Sequence, residues 1–155
     1  RKTKVLLDTK GQLLKQTITS TVKPFLIKPN QAELAELIDQ PITSAEDVIQ
    51  GIQSSQLVGI PWIIVTLGNE GAIVKHKEDL YHIRIPHVET VNPVGSGDSV
   101  IAGFAAGFSR QLNGIELIKF GISMGVLNAM ENNTGQINVD KIDWCINQMD
   151  ITKLN

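Results

Sequence analysis

The sequence predicts an α/β protein built on a mostly parallel central sheet, with an antiparallel hairpin and a helical tail. Three observations lead there. Short apolar runs alternate with amphipathic stretches through the first half of the chain. The run Trp62-Ile-Ile-Val-Thr66 is apolar almost throughout, as a strand covered on both faces must be. Beyond residue 97 the pattern turns helical, and strand–helix alternation ending in helices is the signature of a layered α/β sheet.

Each element has its own local reason. Val5–Asp8 reads as a short buried strand, Gln12–Thr19 as a weak helix and Phe25–Lys28 as a second strand. Asn30 then caps a helix with Glu33 three residues on, the spacing of a capping box, and Leu34, Leu37 and Ile38 form its apolar face. Thr43 or Ser44 caps the next, where Glu46 and Asp47 suit the positive helix start and Val48, Ile49 and Ile52 face inward. Trp62–Thr66 is the central strand. Gly71–Lys75 and Tyr81–Ile85 flank a charged turn at His76–Asp79, which predicts the hairpin. Helices are expected over about Gly97–Leu112, Gly114–Glu131 and Asp140–Met149. Gly103 and Gly107, like Gly121 and Gly125, stand four apart on one helix face. Each costs about 1 kcal/mol against Ala, so something must pack closely there.

Composition narrows the classes of function. The 155 residues are 42% hydrophobic and 19% charged, enough apolar surface for a real core. Net charge is −2, so no general basic field is available for nucleic acid or an anionic membrane. Through Lys28 the chain has seven basic residues and only Asp8 as an acid, yet Phe25 is the sole aromatic among them; a solvated face is the reading this supports. The single cysteine, Cys145, allows no internal disulfide and no cysteine-based metal centre. The longest apolar stretch, Leu57–Leu67, is broken by Pro61 and is too short to span a bilayer. With no signal peptide visible, the expectation is a cytoplasmic protein, and the opening on a strand-like run without Met suggests a piece of a longer one. His76, His82 and His87 share no metal-ligand spacing.

The informative segment is Asn92-Pro-Val-Gly-Ser-Gly-Asp98, which feeds straight into a helix. Glycines on either side of a small serine permit a sharp turn and leave the amides uncovered at a helix start, where the dipole favours an anion such as phosphate. Asp98 carries a negative charge into the same place. Two readings stay open: a general base for phosphoryl transfer beside an amide anion hole, or a helix N-cap preceded by a glycine turn. Spacing excludes the common alternatives. No lysine follows the glycines as a Gly-x4-Gly-Lys phosphate loop requires, and Val94 and Thr66 occupy the first-glycine positions of a hydrolase elbow and a dinucleotide fingerprint. Thr66-Leu-Gly-Asn-Glu-Gly71, at a strand's carboxyl end, suits either the backbone approach of a nucleotide or a plain exit into the hairpin. Asn30 and Glu33 suit either a helix cap or the water shell of Mg²⁺.

Taken together, Lys28-Pro-Asn-x-x-Glu33, Thr66-Leu-Gly-x-x-Gly71 and Asn92-Pro-Val-Gly-Ser-Gly-Asp98 resemble, in order and spacing, the signatures of the PfkB (ribokinase-like) carbohydrate kinases. The resemblance covers the whole chain but only the carboxyl-terminal half of a typical member, without the sugar site and lid of the amino-terminal half. It implies the three-layer α/β/α ribokinase-like fold. It also implies Asp98 as catalytic base, Gly95, Ser96 and Gly97 as the anion hole, and Thr66, Gly68, Gly71 and Asn128 along the nucleotide. Asn30 and Glu33 would act on the metal through water. ATP is then the co-substrate, Mg²⁺ the metal and a ketose phosphate the acceptor at its C1 hydroxyl. The tail Val126–Gly135 resembles the branch acting on D-tagatose 6-phosphate, with the 1-phosphofructokinase type as alternative. For the fragment alone, the alternative is a nucleotide-binding module without catalysis. The resemblance leaves room for a homodimer of the full-length protein. Ser96 departs from the alanine usual in the family, but it is small enough to keep the turn.

Overall fold

The computed structural model describes residues 3–155, whose strands and helices follow the predicted order closely. Six strands, β1 (Leu6–Leu7), β2 (Leu26–Ile27), β3 (Trp62–Thr66), β4 (Ala72–His76), β5 (Asp79–Arg84) and β6 (Asp150–Lys153), form one mixed sheet in that order. Six helices accompany them: α1 (Gly11–Thr19), α2 (Gln31–Ile38), α3 (Ala45–Ile52), α4 (Ser96–Ser109), α5 (Gly114–Ala129) and α6 (Ile142–Gln148). The described chain divides into two compact units. One runs to residue 67 and includes 72–82 and 153–155; the other comprises 68–71 and 83–152.

In the first unit β1, β2 and β3 are parallel, with Leu7 opposite Ile27 and Ile27 opposite Ile63. β4 adds antiparallel, as a hairpin partner must, pairing Val74 with Ile64. Helices α1, α2 and α3 bury Leu14, Ile18, Leu34, Leu37, Val48 and Ile52 in one cluster with Ile27, Ile63, Val65 and Ile73. Both expected caps are realised as reciprocal boxes, Asn30 with Glu33 on α2 and Ser44 with Asp47 on α3. A cap of this kind is worth roughly 1 kcal/mol.

Trp62 and His76 stack with ring centroids 3.8 Å apart and an 11° tilt, across the register that pairs β3 with β4. Burial holds the His76 imidazole below its usual 6.5; Lys77 adds to the effect and Asp79 opposes it. The unfolded chain then binds the proton more readily than the folded one. Stability is therefore full above the unfolded value and declines as pH falls through the depressed folded one. Urea midpoints of the chain should drop between about pH 7 and pH 5, and His76→Phe should flatten that window.

The second unit rests on α4 against α5. Residues Leu117–Asn128 of α5 are buried apart from Lys119, so this helix is covered on nearly every side. The paired glycines explain how the helices approach. A Cβ on Gly103 would stand 2.9 Å from the Gly121 carbonyl oxygen and 3.0 Å from its Cα; one on Gly121 would run into the Phe104 ring. The close packing that the four-residue spacing calls for is that of helix on helix.

Two features differ from expectation. The last helix is entered through a 3₁₀ turn at Val139–Lys141, because Asn138 caps that turn by accepting from the Asp140 amide at 3.0 Å. A further strand, β6, follows it. Its sequence Asp-Ile-Thr-Lys holds a single apolar residue, so pairing within the sheet rather than hydrophobic pattern makes it a strand. The sheet is mixed, as the expected hairpin requires, because antiparallel pairing begins at β4. No helix among the described residues is long and apolar enough to cross a membrane.

Candidate functional site

Parallel strands bring their carboxyl ends to one edge of the first unit, and polar residues gather there. Continuing the β1–β2 register sets Asp8 opposite Lys28, and the Lys28 ammonium lies 3.4 Å from the Asp8 carboxylate. Lys28 is only 7% exposed. The pair therefore matters to the fold, since stripping a buried cation of its partner typically costs about 3–5 kcal/mol. Sequence reading passed over this pair. A lysine closing an apolar strand was the available signal, but only the register says which acid faces it.

Two residues further on, Asn30 bridges to Thr66 in parallel, and the Thr66 amide donates to the Pro29 carbonyl at 3.1 Å. Asn30 and Thr66, named separately from sequence, are thus neighbours. Asn30 Oδ1 accepts from the Glu33 amide at 2.9 Å, and Glu33 Oε2 accepts from the Asn30 amide at 3.0 Å. The box uses one oxygen of each side chain and leaves Glu33 Oε1 without a hydrogen bond among the described residues. Among the described residues no three metal-ligating side chains converge. Such a donor set fits a hydrated Mg²⁺ touched through its waters, not an inner-sphere cage.

Gly68–Glu70 forms a 3₁₀ turn after β3, with Gly68 exposed and at φ 60°. Gly71 follows at φ 99°, where an added Cβ would strike the Ile83 carbonyl, so only glycine fits.

The segment before α4 has the most specific geometry. Gly95 is the N-cap residue at φ 82°, in the left-handed region, and Asp98 is the third residue of the helix. That disposes of the reading of Asp98 as the cap. Among the described residues its carboxylate has no hydrogen-bond or ion-pair partner, and it is exposed to solvent. The Ser96 amide donates to the Pro93 carbonyl at 3.2 Å, so the donors left open at the helix start among the described residues are those of Gly95, Gly97 and Asp98. Gly95, Ser96 and Gly97 are half-buried, and the Thr134 methyl lies where a Cβ on Gly95 would stand.

Asparagines hold this turn from behind. Asn92 Oδ1 accepts from the Val94 amide at 3.0 Å while its Nδ2 donates to the Asn132 carbonyl at 3.0 Å. Asn128, in the last turn of α5, is fully buried. Its Nδ2 donates to the Val94 carbonyl at 3.0 Å and reaches Ser96 Oγ at 3.3 Å; its Oδ1 accepts from the Gly135 amide at 2.7 Å. The carboxamide expected along the nucleotide is committed to the turn.

Open main-chain donors thus stand at the start of α4 beside an exposed carboxylate that has no partner among the described residues. The chain belongs to the pfkB family of carbohydrate kinases, which it matches over residues 1–141. It is 43% identical over 150 residues to a tagatose-6-phosphate kinase of Staphylococcus epidermidis, covering 96% of this chain and 48% of that protein. The same-named protein of a second strain is 42% identical over the same length. The chain thus spans about half the length of the curated relatives it matches. Among solved structures, one from Staphylococcus aureus, whose phosphofructokinase assignment is itself provisional, is similar with a TM-score of 0.85 at 30% identity, over 98% of this chain and 48% of that one. Escherichia coli phosphofructokinase-2 in complex with substrates and products gives 0.83 at 24% identity, over 93% and 47%. The ribokinase-like fold expected from sequence is the fold of these neighbours.

Proposed function

We propose that this chain is the carboxyl-terminal, nucleotide-binding and catalytic part of an ATP-dependent sugar-phosphate kinase, whose acceptor is the C1 hydroxyl of D-tagatose 6-phosphate. The single observation that carries the reading is the open turn before α4, with free amides at Gly97 and Asp98 and an exposed, unpartnered Asp98 carboxylate. In the reaction the C1 oxygen attacks the γ-phosphorus of ATP, its proton passes to Asp98, and ADP leaves. The Gly95–Gly97 turn, with the Gly97 and Asp98 amides among its open donors, stabilises the negative charge on the moving phosphoryl group. Thr66, Gly68 and Gly71 line the nucleotide, where bare backbone permits close approach. Asn30 and Glu33 would hold a hydrated Mg²⁺ through its waters, and its charge would offset that of the phosphates. Asn128 enters through the turn it holds.

The tagatose assignment is supported by the Staphylococcus epidermidis relatives, and a fructose phosphate is the competing acceptor. A coupled assay for ADP release, run on the intact protein with tagatose 6-phosphate, fructose 6-phosphate and fructose 1-phosphate, tests it. Tagatose 6-phosphate is expected to give the highest kcat/KM. Preference for fructose 1-phosphate would move the protein to the 1-phosphofructokinase type, and no turnover with any of the three would refute the kinase reading.

A chain that spans half of its relatives carries half of a site made by positioning. The 155-residue chain by itself is expected to bind Mg-ATP, measured by calorimetric titration, without releasing ADP.

A further inference from the structure

We propose that Asn128 is a positioning residue for phosphoryl transfer, fixing the conformation of the Gly95–Gly97 turn through one buried carboxamide. The catalytic part of this inference rests on the kinase reading above. A carboxamide buried at the end of α5 is costly unless both of its polar atoms find partners. Here both of its polar atoms are satisfied, and two of its three partners, Val94 and Ser96, flank Gly95. Gly95 holds φ 82°, and a Cβ there would run into the Thr134 methyl group, so the turn lies flat against the 134–135 loop. The third partner, the Gly135 amide, belongs to that loop. One side chain therefore fastens both layers of the turn.

The backbone around it agrees. The amides of Val91 and Asn92 both donate to the Ala129 carbonyl, at 2.8 and 3.1 Å, and Asn92 grips Val94 from the other side. A Cβ on Gly125 would stand 3.0 Å from the Ser96 carbonyl, so α5 shapes the turn as well as fastening it. The serine at position 96 also gains a purpose. Its hydroxyl receives one arm of the Asn128 amide, which an alanine could not do. Ser96 and Asn128 act as a pair.

Removing the clamp lets Gly97 and Asp98 drift from where charge develops, and misplacement of about 1 Å costs on the order of 100-fold in rate. In the intact kinase, Asn128→Ala should lower kcat about 30-fold per folded molecule while KM for the sugar phosphate stays within about threefold. Ser96→Ala should cost about threefold, and Asn128→Ala with Ser96→Ala no more than Asn128→Ala alone, the non-additivity expected of a shared contact. Hydrogen exchange supplies a readout independent of activity. The Ser96 and Ser99 amides, bonded to Pro93 and Gly95, should exchange faster in Asn128→Ala, while Ile122 in mid-α5 should not change.

If the wild type proves not to be a kinase, the catalytic role falls, and the exchange data still decide whether Asn128 holds the turn. Should Asn128→Ala fail to fold, Ser96→Ala carries the test, since it removes one arm and inserts nothing: faster Ser99 exchange supports the clamp. Retained kcat in Asn128→Ala, a kcat loss that merely follows the folded fraction, additive effects of the two substitutions, or unchanged Ser99 exchange would each overturn the proposal.

Discussion

Asp98→Asn should abolish turnover in the intact kinase and leave nucleotide binding in place. The substitution keeps size and shape but removes the basic oxygen that would receive the C1 hydroxyl proton. A general base contributes about 10²–10⁴ in rate, so kcat should fall roughly 1,000-fold, about 4 kcal/mol of barrier. Affinity for Mg-ATP should hold or rise slightly, because a negative charge has left the helix start where phosphate is favoured. The structure sharpens this expectation. Asp98 neither caps α4 nor bonds another described residue, so its loss costs the fold little. A fall of less than tenfold would remove Asp98 from the role of base.

The largest effect on stability is expected at Gly103. Its missing side chain lets α4 touch the backbone of α5 at Gly121, and a helix cannot shift there without disturbing a face that also buries Phe104. Gly103→Val should cost about 3 kcal/mol, the upper part of the range for overpacking a tight core. Gly107 is the natural control, because there an added Cβ meets only side chains, the Leu117 methyl at 2.5 Å with Phe120 and Leu112 at 3.4 and 3.7 Å, and the end of the Leu117 side chain can turn aside. Alanine also gains about 1 kcal/mol of helix propensity over glycine. Gly107→Ala should therefore stay within about 1 kcal/mol of the parent in urea unfolding, while Gly103→Val moves the midpoint far down. Equal effects would mean that helix propensity rather than close approach governs both sites.

Legibility from sequence followed the range of the interaction. Trp62–Thr66 could be bounded because an unbroken apolar run admits one reading, and the caps at Asn30 and Ser44 because their partners stand three residues away. The Gly-Ser-Gly-Asp turn was visible for the same reason, since its chemistry lies within seven residues. Strand β6 was not, because Asp150–Lys153 takes its identity from the sheet rather than from its own pattern. The Lys28–Asp8 pair needed the strand register. Asn128 shows the limit best. A polar residue in an apolar helix announced a special role, yet its partners Val94 and Ser96 lie 34 and 32 positions back, where no periodicity could find them.

In the proposed reaction, unclothed peptide nitrogens in the first turn of α4 receive the phosphate. Amide NMR of the ¹⁵N-labelled protein during addition of Mg-ATP looks at those nitrogens one by one. The Gly97 and Asp98 resonances should move saturably with nucleotide, while Ile118 and Ile122 within α5 stay still. Saturation that leaves residues 97 and 98 in place, or no saturable movement anywhere, would contradict it.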